Sequence, residues 1–165
     1  MNKAVFARTF DPFTNGHKDI ALRAAELFDE LVIFVPLQSG KKTPLFTPEE
    51  RMELIQETFL RMDNIHVEPF DGLLVNEVRR VGASHIVRGL RATSDFEFEF
   101  NMVQFNTELA PDIETVFLMS RADQLHYASS SIKEIAAHGG DVSRYLPQHI
   151  EMALKRKLVA KRFDS

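Results

Sequence analysis

The sequence predicts an α/β fold: a single domain, residues 1–165, built on a doubly wound, parallel, five-stranded sheet. Three observations predict it. Strand-like and helix-like segments alternate along the whole chain. Most of the strand-like segments are continuous apolar runs, which suits parallel strands covered on both faces. No linker, low-complexity tract or internal repeat divides the 165 residues. A chain of that length should withdraw about 70% of its unfolded surface from water, enough for a real core.

The strand segments are residues 4–7, 31–36, 65–69, 85–87 and 115–119. The first helix spans 17–28, with Ile20, Ala21, Ala24, Leu27 and Phe28 on one face. The second spans 48–61, where Thr47 caps, Pro48 takes the first helical position and Glu50 closes a capping box. Further helices are expected at 73–81 (ended by Gly82), 95–109, 130–137 (ended by Gly139-Gly140) and 147–158. Residues 159–165 are expected to form a disordered tail. The cations Lys155, Arg156, Lys157, Lys161 and Arg162 are read as a solvated helix face and tail.

Composition narrows the function. With 44% apolar and 27% charged residues the chain is an ordinary globule. It has no cysteine, which excludes disulfides, zinc–thiolate sites and thiol catalysis. No stretch approaches the ~18 apolar residues of a membrane span, and no secretory leader pattern opens the chain, so a cytoplasmic location is expected. The net charge of −4 argues against nucleic acid as partner. It also means that an anionic substrate must be attracted by locally placed Lys and Arg.

In a doubly wound sheet, ligands sit beyond the carboxyl ends of the strands. The loops that matter are therefore 8–16, 37–46, 70–74, 88–94 and 120–129. The first, Thr9-Phe10-Asp11-Pro12-Phe13-Thr14-Asn15-Gly16-His17, turns from a strand into a helix. Such a turn aims backbone N–H groups and the positive end of the helix dipole at one point, which favours phosphate. His17 and Thr14 add side-chain donors there; the plainer role for His17 is a helix-start residue bonded to its own backbone.

Three more loops carry candidates. Lys41 and Lys42 follow the second strand, where one of them can reach an anion. Arg88-Gly89-Leu90-Arg91 follows the fourth, and two arginines flanking a glycine suit a phosphate or carboxylate clamp. Their alternative is ion pairing with Asp95, Glu97 and Glu99; Asp95 and Glu97 read as mainly structural, since acids are favoured at a helix start. Ser129, Ser130 and Ser131 open the fifth helix. One serine serves as its cap, and the set can cradle the far phosphates of a nucleotide.

Together these segments resemble bacterial phosphopantetheine adenylyltransferase. The similarity is carried by TFDPxTNGH, the lysine loop before Leu45-Phe46-Thr47-Pro48-Glu49-Glu50-Arg51, RGLRA followed by SDFEFE, and the triple serine. It runs from residue 3 to about 158. The TxGH signature alone marks the nucleotidyltransferase superfamily; RGLRAxxDFExE in combination with it is more specific. The resemblance implies a Rossmann-like nucleotidyltransferase fold. It implies transfer of AMP from ATP to 4′-phosphopantetheine, giving dephospho-coenzyme A and pyrophosphate, with Mg²⁺ bound through the ATP phosphates. A homohexamer and feedback by coenzyme A are implied too.

Carried over by motif, Thr9 and His17 meet the reacting phosphates together with the active-site lysine, and Phe10 lies with them at the ATP. Counting back from Phe46 favours Lys42 as that lysine, while matching the lysine pair favours Lys41. These lysines, with Thr9, Leu74 and Arg88, match positions that hold phosphopantetheine. Gly89, Leu90, Arg91, Glu99 and the stretch Leu125, His126, Tyr127, Ala128, Ser129, Ser130 and Ser131 match the ATP site.

The chain departs from the family pattern at Arg8, where glycine is usual, so Arg8 either crowds the site or adds a cation to it. The 120–128 loop is one residue longer than is usual in the family, and Ala128 replaces the usual isoleucine. Two alternatives stand beside the main reading. One is a mononucleotide adenylyltransferase or cytidylyltransferase, which generally carries histidine where Thr14 stands and lacks RGLRA. The other is a non-catalytic nucleotide-binding module with Arg8 as its lesion.

Overall fold

The computed structural model describes residues 1–40, 43–121 and 127–164. Five strands, β1 (Lys3–Ala7), β2 (Glu30–Pro36), β3 (Ile65–Phe70), β4 (His85–Leu90) and β5 (Glu114–Met119), alternate with helices α1 (Asn15–Leu27), α2 (Pro48–Thr58), α3 (Leu74–Arg80) and α4 (Thr93–Leu109). Helices α5 (Ser129–Ala137) and α6 (Gln148–Phe163) follow. The strands form one sheet in the order β3-β2-β1-β4-β5, all parallel.

Period-two alternation sorts the strand residues between two cores. Phe6, Leu31, Ile33 and Val35 face one side, where α1, α2, α5 and α6 contribute Ala21, Ala24, Ile55, Ile132, Ile150 and Leu154. Val5, Ala7, Val32 and Phe34 face the other, against Val75 and Val78 of α3 and Ala110 and Ile113 beyond α4. The chain winds outward from β1 through β2 to β3, then returns to β4 and β5. The crevice at this reversal opens beyond the carboxyl ends of β1 and β4, which places residues 8–14 opposite residues 88–91.

Some element boundaries differ from expectation. β4 runs to Leu90, because Arg88, Gly89 and Leu90 stay in register with Phe117, Leu118 and Met119 of β5. Arg88 is thus a strand residue, not a loop residue. α2 ends at Thr58, earlier than expected. α6 continues to Phe163, so residues 159–163 are helical and not a disordered tail. Arg162 donates to the Ala137 carbonyl at 2.8 Å, and Lys157 pairs with Glu50 at 2.6 Å, so this cationic face is anchored in part. Among the described residues, no helix is long and apolar enough to cross a membrane.

Candidate active site

The loop after β1 is held open by buried polar contacts. Phe10 adopts a left-handed φ of 55°, a conformation that costs a bulky residue on the order of 1 kcal/mol. Its ring offsets this by packing at 5.2 Å against both Phe6 and Phe13. The buried Asp11 carboxylate accepts the backbone N–H groups of Leu45 and Phe46, each at 2.9 Å, and pairs with Lys133 at 2.6 Å. Arg51, also buried, donates to the Thr9 carbonyl at 2.7 Å and the Pro36 carbonyl at 3.2 Å. Ser129 donates its hydroxyl to the Pro12 carbonyl at 2.9 Å. The first loop, the approach to α2 and the start of α5 are therefore one connected frame.

His17 sits at the first turn of α1 inside that frame. The Thr14 hydroxyl accepts the His17 N–H at 3.2 Å, and the His17 Nδ1 accepts the Thr14 N–H at 3.0 Å. Nδ1 must be unprotonated to accept, so Nε2 carries the hydrogen of the neutral ring. Burial, followed by the charges of Arg8 and Arg91, lowers the His17 pKa to about 3. The rings of Phe10 and Phe13 lie 5.0 and 5.5 Å away and fix the imidazole plane. His17 is thus a neutral, oriented N–H donor at neutral pH, and the cap bond is what orients it.

Nε2 has a cleft to serve. A cavity of about 540 Å³ is lined by Arg8, Thr9 and His17 on one side, Gly89 and Arg91 on another, and Ser129, Ser130 and Lys133 on a third. The N-termini of α1 and α5 border it, and neither helix carries an acid in its first turn. The other long helices do: Glu49 and Glu50 in α2, Asp95 in α4 and Glu151 in α6. At the cleft, the positive dipole ends are left for an outside anion.

A second, smaller cavity of about 180 Å³ is lined by Leu73, Leu74, Arg88, Glu99, Met102 and Asn106, and is linked to the first through the contact of Glu99 with Arg8. Arg88 grips the buried Glu99 through Nε at 2.7 Å and a terminal nitrogen at 2.8 Å, and donates to the Ala7 carbonyl at 2.8 Å. Arg8 meets the same carboxylate at 2.9 Å. Burial opposes ionisation of Glu99, but the bonds and charges of Arg88 and Arg8 outweigh it and hold its pKa below the usual carboxylate value.

A family model described as cytidylyltransferase-like matches residues 5–135. The phosphopantetheine adenylyltransferase of Thermodesulfovibrio yellowstonii is 50% identical over 153 residues, covering 93% of this chain and 95% of that protein. The phosphopantetheine adenylyltransferase of Heliobacterium modesticaldum is 47% identical over 157 residues, 95% of this chain and 93% of that protein. The chain belongs to the phosphopantetheine adenylyltransferase family. Its fold is that of the solved bifunctional NMN adenylyltransferase/ADP-ribose pyrophosphatase of Francisella tularensis, with a TM-score of 0.69 at 14% identity over 98% of this chain and 52% of that one.

Against this phosphopantetheine adenylyltransferase fold, the candidate residues fall into four groups. Thr9, Phe10, His17, Gly89, Arg91, Tyr127, Ala128, Ser129 and Ser130 line the larger cavity. Leu74, Arg88 and Glu99 line the smaller. Leu90 and Ser131 line neither cavity. Lys41, Lys42, Leu125 and His126 lie outside the described residues. The expected serine cap of α5 is absent: α5 begins at Ser129, so the cap position falls to Ala128, which has no polar side-chain atom, while the Ser129 hydroxyl bonds the Pro12 carbonyl.

Sequence reasoning missed the framework trio Asp11, Arg51 and Lys133. Arg51 left a trace: it stands one turn before Ile55, and both are buried, so a cation occupies the apolar face of α2. Asp11 and Lys133 are far apart in the chain and left none.

Proposed function

We propose that the chain transfers the adenylyl group of ATP to 4′-phosphopantetheine, giving dephospho-coenzyme A and pyrophosphate, a step of coenzyme A biosynthesis. One observation carries the chemistry. Two acid-free helix N-termini, a neutral imidazole donor and Arg91 surround one cleft, and the Arg8–Glu99 contact links it to a second, mostly apolar cavity with Arg88 at its wall.

In this reading the larger cavity takes ATP and the smaller takes the pantetheine arm, against Leu73, Leu74 and Met102 with Asn106 as polar partner. An oxygen of the acceptor phosphate attacks the α-phosphorus in line. The bond from that phosphorus to the bridging oxygen breaks, and pyrophosphate leaves with the electron pair. His17 Nε2–H and Thr9 donate to the oxygens on which charge grows, joined by a lysine of the 41–42 pair; Arg91, Ser130 and the N-terminus of α5 hold the outer phosphates. No covalent enzyme intermediate is needed, because fixed donors and alignment lower the barrier.

Asp11 is the one carboxylate among the described residues lining the larger cavity, and Lys133 with two backbone N–H groups engages it. With both of its oxygens engaged, Asp11 offers Mg²⁺ no ligand, and no group of three or more His, Asp or Glu among the described residues could hold a metal ion. In this reading Mg²⁺ is carried by the ATP phosphates, whose charge it would neutralise.

Assembly as a homohexamer in the cytoplasm belongs to the same proposal. It is supported by α4, where Phe98, Met102, Phe105 and Leu109 recur at helical spacing and are 65%, 43%, 62% and 55% exposed. Coenzyme A carries the same pantetheine arm as the acceptor, which supports feedback at the smaller cavity.

Pyrophosphate release from ATP, measured with 4′-phosphopantetheine, nicotinamide mononucleotide and nicotinate mononucleotide in turn, tests the assignment, as does the CTP reaction with a phosphorylated alcohol. Release with phosphopantetheine alone is expected. Release with a mononucleotide, or from CTP, would transfer the chain to another reaction of the superfamily.

A further inference from the structure

Arg8 remains without a role in the scheme above. It leaves the end of β1 and lines the larger cavity, yet its guanidinium reaches the wall of the smaller one, meeting Glu99 at 2.9 Å and the Gly89 carbonyl at 3.2 Å. Glu99 does not need it. Arg88 alone already occupies both oxygens of that carboxylate. Two guanidiniums on one carboxylate leave a positive charge uncompensated, and half-burying a surplus charge is unfavourable unless something of opposite sign arrives. Arg91, the next cation, is already matched by Asp95 at 3.2 Å. Burial and the charge of Arg88 depress the Arg8 pKa, the direction expected of a cation lacking its full complement of negative neighbours. Two contacts also leave N–H groups of the Arg8 fork unused.

We propose that Arg8 is a substrate-binding cation that holds the attacking phosphate of the acceptor where the two cavities meet. The inference rests on the acceptor reading given above. Glu99 then serves as a common anchor, with Arg88 gripping it from the small cavity and Arg8 from the large one. A dianionic phosphate placed between the two forks receives planar, multi-donor contacts from both sides. An acceptor lacking the phosphate gains nothing from Arg8, so this residue discriminates phosphorylated from unphosphorylated pantetheine.

Calorimetric titration of 4′-phosphopantetheine and of pantetheine into the wild-type chain, Arg8→Gln and Arg8→Lys tests the proposal, alongside steady-state KM values for acceptor and ATP. Arg8→Gln should weaken phosphopantetheine binding about tenfold, the usual order for one charge-assisted contact, and leave pantetheine binding unchanged. The acceptor KM should rise by a similar factor while that for ATP stays put, and Arg8→Lys should recover most of the loss.

Equal phosphopantetheine affinity in Arg8→Gln and wild type would overturn the proposal. So would parallel losses for both pantetheine ligands, or a rise confined to the ATP KM. If the wild-type chain binds ATP but neither binds nor adenylates phosphopantetheine, the acceptor reading has failed. Inorganic phosphate titrated into the same variants then decides the role of Arg8: weaker binding in Arg8→Gln supports an anion-holding cation, and unchanged binding overturns it.

Discussion

Thr14 and His17 fix each other: the hydroxyl of one accepts the backbone N–H of the other, and the imidazole Nδ1 returns the bond to the Thr14 N–H. A helix cap and a functional donor are here the same object. The cap commits Nδ1 to accepting, which leaves Nε2–H as the ring donor of a histidine that lines the cleft. The plain role of His17 as a helix-start residue and its role toward phosphate do not compete, because the first creates the second.

Removing the donor should therefore cost turnover more than structure. His17→Ala is expected to lower kcat on the order of 10²–10³-fold, the usual loss for one transition-state donor, with a near-unchanged circular-dichroism spectrum. Wild-type turnover in that variant would refute the role.

The protonation state gives an independent check. With a pKa of about 3, His17 stays neutral across pH 5–8. Its ring signals in a heteronuclear NMR titration should not move over that range, unlike those of an exposed histidine titrating near 6.5. The stability linkage has a defined sign. The folded-state pKa is depressed below the unfolded value, so the contribution is present above about pH 6.5 and is lost as pH falls toward 3. Thermal melts of His17→Gln should lose less stability than wild type between pH 6.5 and 4.

Asp11 holds three donors at once. Asp11→Ala strands two backbone N–H groups and Lys133, and should cost about 3 kcal/mol. In a domain of this size that corresponds to a Tm about 10 °C lower. A shift below about 2 °C would mean that the frame is held elsewhere.

Thr47 is a purely local case. Its hydroxyl accepts the Glu50 N–H at 3.2 Å and the Glu50 carboxylate returns the bond at 2.8 Å. Thr47→Ala should cost about 1 kcal/mol, seen as a small shift in the denaturation midpoint with an unaltered m-value.

The apolar stripe on α4 predicts self-association. Sedimentation velocity should find a hexamer, and Phe98→Glu or Phe105→Glu should shift it toward smaller species. A monomeric wild-type chain would contradict the assembly part of the proposal.

How far the sequence could be read depended on the range of the interactions. The strands were legible because runs such as residues 31–36 are apolar throughout. The α2 start was legible because Thr47, Pro48 and Glu50 act within a single turn. Arg88 was misplaced into a loop because a charged residue at a strand end gives no apolar signal; pairing with Phe117 decides its state. The serine cap of α5 failed because the helix starts one residue earlier than expected, at Ser129, which leaves Ala128 at the cap and the Ser129 hydroxyl free to bond Pro12, 117 residues earlier. The Asp11–Lys133 pair spans 122 residues, and no local pattern foretells it. The resemblance placed residues at a site, but only packing divided them between two cavities, with Glu99 in the wall of the smaller.

The most direct measurement is mass-spectrometric product analysis after incubating the purified chain with ATP, Mg²⁺ and 4′-phosphopantetheine, with ATP binding measured in parallel. The account predicts dephospho-coenzyme A and pyrophosphate in equal amounts. ATP binding without dephospho-coenzyme A formation would contradict it.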